Sequence, residues 1–206
     1  MTKKEEWLAG TRSAVPIMLG YVPVGIAYGV MARQAGLNTW QTVLMSLTVY
    51  GGASEMMAAG MVAQGAAVLT IVLTTFILNL RHIIMSTCVF NQMQGGRLPV
   101  RMLAAFGVTD ETFAVYTTTA NAPRTPRYFF SMALCSYLSW ALGSWLGAIA
   151  TGLLPPLITA ALGISLYAMF IGLLMPGLHG NGRLAALVVL TALCNTVLCN
   201  VVQLDS

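Results

Sequence analysis

Long apolar runs cover most of the 206-residue chain, and short polar breaks separate them. A helix needs about 20 apolar residues to cross a bilayer. The runs are continuous, unlike the alternating segments of about 10 residues that predict a membrane β-barrel. The pattern predicts an all-α polytopic membrane bundle, with some of its helices kinked or broken at glycine or proline. The seven predicted transmembrane segments are 13–33, 40–64, 66–90, 100–121, 128–152, 157–176 and 184–202.

Composition supports this fold class, because only 8% of the residues are charged and 57% are hydrophobic, whereas soluble domains carry about 25% charged residues. The net charge of +4 comes from basic residues scattered at the ends of apolar runs. Lysine and arginine anchor membrane helices there, so we predict the lipid bilayer and no nucleic acid as a partner. No linker divides the chain, and residues 1–206 are therefore predicted to form a single domain. We also predict no cofactor and no metal site, since the cysteines lack a C-x-x-C pattern.

The distribution of lysine and arginine predicts a cytoplasmic N-terminus. The first apolar run is too long for the core of a signal peptide, and we expect it to remain as a membrane span. With seven spans, the cytoplasmic side would carry Lys3, Lys4, Arg12, Arg124, Arg127 and Arg183. The opposite side would carry Arg33, Arg97 and Arg101.

Five ionisable residues interrupt the central apolar runs: Glu55, Arg81, His82, Asp110 and Glu111. A charged side chain at the centre of a bilayer costs about 3 kcal/mol on insertion scales. Such residues usually face the interior of a bundle and mark a substrate or ion path. They are therefore the candidate functional residues.

Glycine and proline punctuate two of the segments. The first segment contains Pro16 and Pro23, which predict a kink or break facing a cavity. It also contains the G-x-x-x-G pair Gly25 and Gly29, which favours simple helix packing, and both interpretations stay open. A second G-x-x-x-G in the fifth segment, residues 143–147, is expected to serve packing.

The second segment should break near its two glycines, Gly51 and Gly52, because glycine costs about 1 kcal/mol relative to alanine in a helix. Ser54 is a good N-cap residue, which would place Glu55 in the first turn of a new half-helix. Many secondary transporters build their substrate site from such broken helices. Glu55 can then bind an ammonium group or carry a proton. Alternatively, it is a neutral buried acid or a structural partner of Arg81.

The third and fourth segments carry the remaining charges. Arg81 can hold a carboxylate with two hydrogen bonds, and His82 can titrate near neutral pH; alternatively, Arg81 extends to the interface. Thr109 is expected to cap a helix that starts with Asp110 and Glu111. Neighbouring acids in an apolar setting seldom both ionise, so this pair can carry protons. Its alternative role is that of a counter-ion for Arg81.

Four stretches of the chain together resemble one family. They read VPIMLGYVPVGIAYGV, YGGASEM, NLRHIIM and FGVTDETFAVY in this order. They are similar to the AzlC/YgaZ large subunit of bacterial branched-chain amino-acid exporters, and the resemblance runs from about residue 13 to residue 175. The family commonly has glutamine in place of Glu55, and its members usually carry another apolar segment after the position of Asn200. The positions that match its motifs are Gly51, Ala53, Ser54, Arg81, His82, Thr109, Asp110 and Glu111.

The resemblance implies a location in the bacterial inner membrane and a partnership with a small AzlD/YgaH-type membrane subunit. Together with the buried charges, it predicts a secondary transporter that exports amino acids such as valine or leucine, coupled to protons or another ion. The predicted substrate-binding residues are Gly51, Gly52, Ser54, Glu55, Arg81 and Asp110. The predicted proton-coupling residues are Glu55, His82, Asp110 and Glu111.

Two other classes of function remain as alternatives. The chain can be a channel or a non-transporting scaffold subunit, although a channel would more naturally show rings of charge or filter-like carbonyl loops. An intramembrane enzyme is disfavoured, because neither G-x-S-x-G nor H-E-x-x-H occurs in the sequence. We therefore predict no catalytic residue.

Overall fold

The computed structural model describes residues 2–120, 122–153 and 182–201, together with the single positions 155, 157, 161, 171, 175 and 178. The regular elements in this part of the chain are helices, which confirms the predicted all-α fold class. They are α1 (Lys3–Gln34), α2 (Thr39–Thr48), α3 (Gly52–Ala63), α4 (Val68–Asn79), α5 (Arg81–Gln92), α6 (Leu98–Phe106), α7 (Asp110–Thr118), α8 (Pro126–Ala150) and α9 (Gly182–Val201).

The chain contains two compact units. The first, Met1–Leu166, holds α1 to α8, and the second, Tyr167–Ser206, holds α9. The assignment of residues 1–206 to a single domain stays a prediction. The predicted segment 157–176 lies almost wholly outside the described residues.

Among the described residues, three helical stretches are long and apolar enough to cross a membrane. They are Lys3–Gln34, Val68–Gln92 and Pro126–Ala150, and they correspond to the predicted segments 13–33, 66–90 and 128–152. The second stretch consists of α4 and α5, which meet at Leu80 with helical backbone angles (φ −55°, ψ −33°).

Helix α1 is continuous, so its prolines do not break it, and a kink at them stays a prediction. The helix runs for 32 residues through Pro16 and Pro23, and Thr2 and Glu5 form a capping box at its start. A proline removes only one backbone donor, and neighbouring helices can satisfy the carbonyl groups that it frees. Packing against α8 therefore outweighs the local effect of the prolines.

The two G-x-x-x-G motifs bring α1 and α8 into close contact. A methyl group at Gly29 would lie 2.3 Å from the Ser144 carbonyl oxygen, and one at Gly147 would lie 2.1 Å from the Ile26 carbonyl oxygen. Near the other end of the pair, a methyl group at Gly10 would lie 2.2 Å from the Tyr128 carbonyl oxygen. Residues later in α1 contact residues later in α8, so the two helices run parallel. Packing is the role of both motifs.

The predicted segments 40–64 and 100–121 each form two short helices with an irregular turn between them. Residues 49–51 separate α2 from α3, and residues 107–109 separate α6 from α7. At the first turn Tyr50 has a φ of +47°, a left-handed conformation that is strained for a large side chain. The predicted break near Gly51 is therefore confirmed.

Candidate functional site

Glu55 lies in the first turn of α3, as predicted, and its side chain has no exposed surface. Its Oε1 accepts a hydrogen bond of 2.9 Å from the Gly51 amide. Its Oε2 accepts one of 2.9 Å from the Ser46 hydroxyl. The indole nitrogen of Trp140 donates to both oxygens at 3.2 Å. One carboxyl group thereby joins α2, α3 and α8.

The contacts beyond Glu55 form a short chain of oxygens. Ser46 Oγ lies 2.8 Å from Ser144 Oγ, and Ser144 Oγ lies 2.9 Å from the Trp140 carbonyl oxygen. A hydroxyl group has a single hydrogen to donate, so Ser46 serves either Glu55 or Ser144. All three contacts carry a hydrogen only when Glu55 Oε2 holds a proton and donates it to Ser46. The direction of these hydrogen bonds thus depends on whether Glu55 is protonated.

Ser54 does not cap α3, contrary to the prediction. The N-cap residue is Gly51, and no side chain caps this helix; Ser54 instead donates its hydroxyl to the Gly51 carbonyl oxygen at 2.8 Å. A methyl group at Gly51 would lie 2.5 Å from Ser54 Oγ, and one at Gly52 would lie 2.9 Å from the Trp140 indole. The two glycines therefore allow the close approach that lets Glu55 reach back to the Gly51 amide.

Arg81 and Asp110 form an ion pair, with 2.9 Å between Arg81 Nη1 and Asp110 Oδ2. They are the first residues of α5 and α7, and about a third of each side chain is exposed. His82, which follows Arg81, is partly exposed. Of the two structural partners that the sequence left open for Arg81, the structure shows Asp110 and not Glu55.

Glu111 points away from that ion pair and is buried. The Tyr21 hydroxyl donates to Glu111 Oε2 at 2.6 Å and lies 2.7 Å from the Thr109 hydroxyl. Thr109 accepts a hydrogen bond from the Thr112 amide, which confirms it as the N-cap of α7. Neighbouring acids in the sequence thus face two different environments: Asp110 faces Arg81, and Glu111 faces α1.

Aromatic rings fill the space between the two buried acids. The Tyr21 ring meets the Trp140 ring edge-on, with 5.4 Å between their centroids, and the Tyr50 ring at 6.5 Å. Trp140 holds Glu55, and Tyr21 holds Glu111. One ring-to-ring contact therefore connects the surroundings of the two carboxyl groups.

A cleft of about 440 Å³ opens between α2, α3 and α4. Its apolar wall includes Met45, Ile71, Val72 and Phe76. Its polar lining consists of Thr48, Ser54, Glu55, Thr75 and Asn79. Arg81, His82, Asp110 and Glu111 are not among the described residues that line it. The structure thus divides the predicted site residues between this cleft and the ends of α5 and α7.

Four residues at the site were not singled out as functional from the sequence: Tyr21, Ser46, Trp140 and Ser144. A signal was present, because each carries a hydrogen-bonding group within an apolar segment, where it must find a partner inside the protein. The sequence does not reveal that Ser46, Trp140 and Ser144 lie around Glu55. Two of the contacts join residues 85 and 98 positions apart, and the third crosses the turn before α3.

Comparison with models of protein families finds a match to the AzlC protein family over residues 16–154. The chain belongs to the AzlC family. Glu55, Trp140 and the cleft all lie within the matched residues, so the site is built from the part of the chain that defines its AzlC membership.

Individual relatives agree with this family and are membrane proteins. An uncharacterized membrane protein of Archaeoglobus fulgidus is 33% identical, and the match covers 90% of this chain and 82% of the relative. The inner membrane protein YgaZ of Escherichia coli is 30% identical, with 82% and 72% covered. The branched-chain amino acid transport protein AzlC of Bacillus subtilis is 27% identical, with 72% and 61% covered. No solved structure matches the chain.

Proposed function

We propose that this AzlC-family protein is a secondary transporter that exports amino acids with small apolar side chains, such as valine and leucine. The observation that carries the proposal is the break at Tyr50 and Gly51 between α2 and α3, where buried Glu55 borders a largely apolar cleft. Broken helices beside a cavity are a common way to build a transport site. The name of the Bacillus subtilis relative supports the substrate class.

The cleft suits an amino acid because it combines an apolar wall with polar groups at the start of α3. The first amides of a helix lack a partner within the helix and favour an anionic group. Since Glu55 accepts a hydrogen bond from the Gly51 amide, the remaining free amides of the first turn of α3, next to cleft-lining Ser54, are the proposed partners of the substrate carboxylate. The apolar side chain would lie against Ile71 and Phe76.

Arg81 and Asp110 keep a proposed role in a second state of the protein. Their ion pair joins the ends of α5 and α7. Movement of these ends apart would free the guanidinium group for a carboxylate and Asp110 for an ammonium group. In the state described here the two charges neutralise each other.

Proton coupling is assigned to Glu55 and Glu111, with His82 and Asp110 nearer the exposed end of the path. Glu55 suits the task because Ser46 can accept a hydrogen bond from the protonated acid and donate one to the carboxylate. Glu111 has a similar short contact with the Tyr21 hydroxyl.

The proposed setting is the bacterial cytoplasmic membrane, with a cytoplasmic N-terminus and a small AzlD/YgaH-type subunit as partner. Parallel α1 and α8 agree with the predicted order of spans, in which the first and the fifth cross the membrane in the same direction. The inner-membrane relative supports the location.

Reconstitution into vesicles tests the proposal. The full-length chain, co-expressed with a small AzlD/YgaH-type subunit, should move labelled leucine or valine when a pH gradient is imposed. Glu55→Gln should abolish the response to the gradient but retain exchange of labelled for unlabelled substrate. Absence of transport for both amino acids, with and without the gradient, would refute the function.

A further inference from the structure

The side of the cleft formed by α4 carries two buried polar atoms that lack a partner. Thr75 Oγ1 and Asn79 Oδ1 have almost no exposed surface and make no hydrogen bond within the described part of the protein. The two residues are four positions apart and therefore lie on one face of α4. A buried polar atom without a partner costs free energy, so this edge favours a polar ligand group that can form hydrogen bonds with both oxygens.

Thr75 lacks the local hydrogen bond that several other helical threonines make, and its hydroxyl oxygen is buried. Threonine in a helix commonly donates its hydroxyl to the carbonyl group four residues earlier. Thr48 does so to Leu44 at 2.8 Å, and Thr87 does so to Ile83 at 2.7 Å. Thr75 forgoes this local bond although it lies within α4, which leaves its hydroxyl available to the cleft.

The other polar groups of the cleft are largely acceptors. Thr48 has given its hydrogen to a backbone carbonyl group, and Ser54 has done the same. Glu55 receives hydrogen bonds at both oxygens. No lysine, arginine or histidine is among the described residues that line the cleft. A primary ammonium group, with three hydrogens and a positive charge, complements such a surface.

We infer that Thr75 and Asn79 bind the ammonium group of the substrate, so that the α4 edge of the cleft selects primary amines with a branched apolar chain. This inference rests on the proposed function for the identity of the substrate. It assigns the amine to α4 and leaves the carboxylate to the first amides of α3. The amine would lie between the Thr75 and Asn79 oxygens and the Glu55 end of the cleft.

Two truncated forms of leucine separate the halves of the substrate. 3-Methylbutylamine retains the amine without the carboxylate, and 4-methylpentanoate retains the carboxylate without the amine. The purified full-length protein should melt at a higher temperature in the presence of 3-methylbutylamine, because a ligand that binds only the folded state stabilises it. Asn79→Leu and Thr75→Val, which nearly keep the side-chain shapes, should each weaken amine binding about tenfold or more.

The controls separate binding from folding. Thr70→Val, on the exposed surface of the same helix, should leave amine binding unchanged. Stabilisation by 4-methylpentanoate should be the same in Asn79→Leu as in the original protein. The inference is overturned if 3-methylbutylamine gives no stabilisation, or if its effect survives in both cleft variants. Amine binding without leucine transport in vesicles would instead refute the proposed function and leave the amine site standing.

Discussion

The Trp140 indole nitrogen on α8 lies 3.2 Å from both carboxyl oxygens of Glu55 at the start of α3. The indole thus joins α8 to a buried acid at a helix break, beside the donors Gly51 and Ser46. Replacing Trp140 by phenylalanine removes that donor and part of the ring that packs on Tyr21. We expect the free energy of unfolding to fall by about 1–3 kcal/mol, because the buried carboxyl group loses one of its three donors.

Denaturation of the purified protein would measure this loss. Trp145→Phe is the matched control, because Trp145 lies on the same helix and is 46% exposed. Equal losses in the two variants would show that the indole hydrogen bond to Glu55 contributes little.

Glu55→Gln should fold as well as the original protein. The glutamine amide can accept from the Gly51 and Trp140 N–H groups through its oxygen and donate to Ser46 through its nitrogen, which reproduces the pattern of a protonated acid. Thermal melting should therefore change little. Glu55→Leu, in contrast, leaves the Trp140 and Gly51 donors without an acceptor and should destabilise by about 1–3 kcal/mol. A large loss in Glu55→Gln would indicate that the carboxylate, not its proton, is needed at this position.

Removal of a hydroxyl group should have opposite effects at two neighbouring tyrosines. The Tyr21 hydroxyl contacts Glu111 and Thr109, so Tyr21→Phe should lower stability by roughly 1–3 kcal/mol. The buried Tyr50 hydroxyl has no hydrogen-bond partner among the described residues, so Tyr50→Phe should be neutral or stabilising. Thermal melting of the two variants, each compared with the original protein, would measure the difference. A larger loss of thermal stability in Tyr50→Phe than in Tyr21→Phe would contradict this account of the two hydroxyl groups.

Alanine should be tolerated at one helical glycine and not at another. At Gly147 the added methyl group would lie 2.1 Å from the Ile26 carbonyl oxygen, so α1 and α8 would have to separate. At Gly60 nothing lies within 4 Å of that methyl group, and alanine there should stabilise α3 by up to about 1 kcal/mol. Melting temperatures should fall for Gly147→Ala and hold or rise for Gly60→Ala. The same small change in both would mean that the two helices can move apart without cost.

The ion pair between Arg81 and Asp110 should make the effects of two substitutions non-additive. Both side chains are about a third exposed, so solvent screening limits the coupling to about 1 kcal/mol or less. The stabilities of Arg81→Ala, Asp110→Ala and the double variant form the cycle that measures it. Additive losses would indicate that the pair contributes nothing to the stability of this state.

The sequence predicted best the features that depend on residues close together in the chain. Thr109 is identifiable as an N-cap because its partner, the Thr112 amide, is three residues away. The two glycines predict the break, and a cap at Ser54 predicts that Glu55 lies in the first turn after it. Ser54 was misassigned since the same glycines bring Glu55 within reach of the Gly51 amide, which removes the need for a capping serine.

Features that depend on contacts between distant helices were not predictable in the same way. The sequence offers three acids as partners of Arg81, namely Glu55, Asp110 and Glu111, and only the arrangement of α5 and α7 selects Asp110. Helix α1 continues through Pro16 and Pro23. The close packing of α1 on α8, which supports this continuity, is not visible in the local sequence. The role of Trp140 depends on such a contact too, because its indole donates to both oxygens of Glu55 from a different helix.

The close parallel contact between α1 and α8 determines which parts of this protein are free to shift. Because the backbones of α1 and α8 are in contact at the glycines, the two helices cannot slide past each other and form a rigid pair. Glu55 accepts a hydrogen bond from Trp140 of this rigid pair. In contrast, α4 on the far side of the cleft has no buried residues. The cleft would therefore open and close by movement of α4, while Glu55 stays in place.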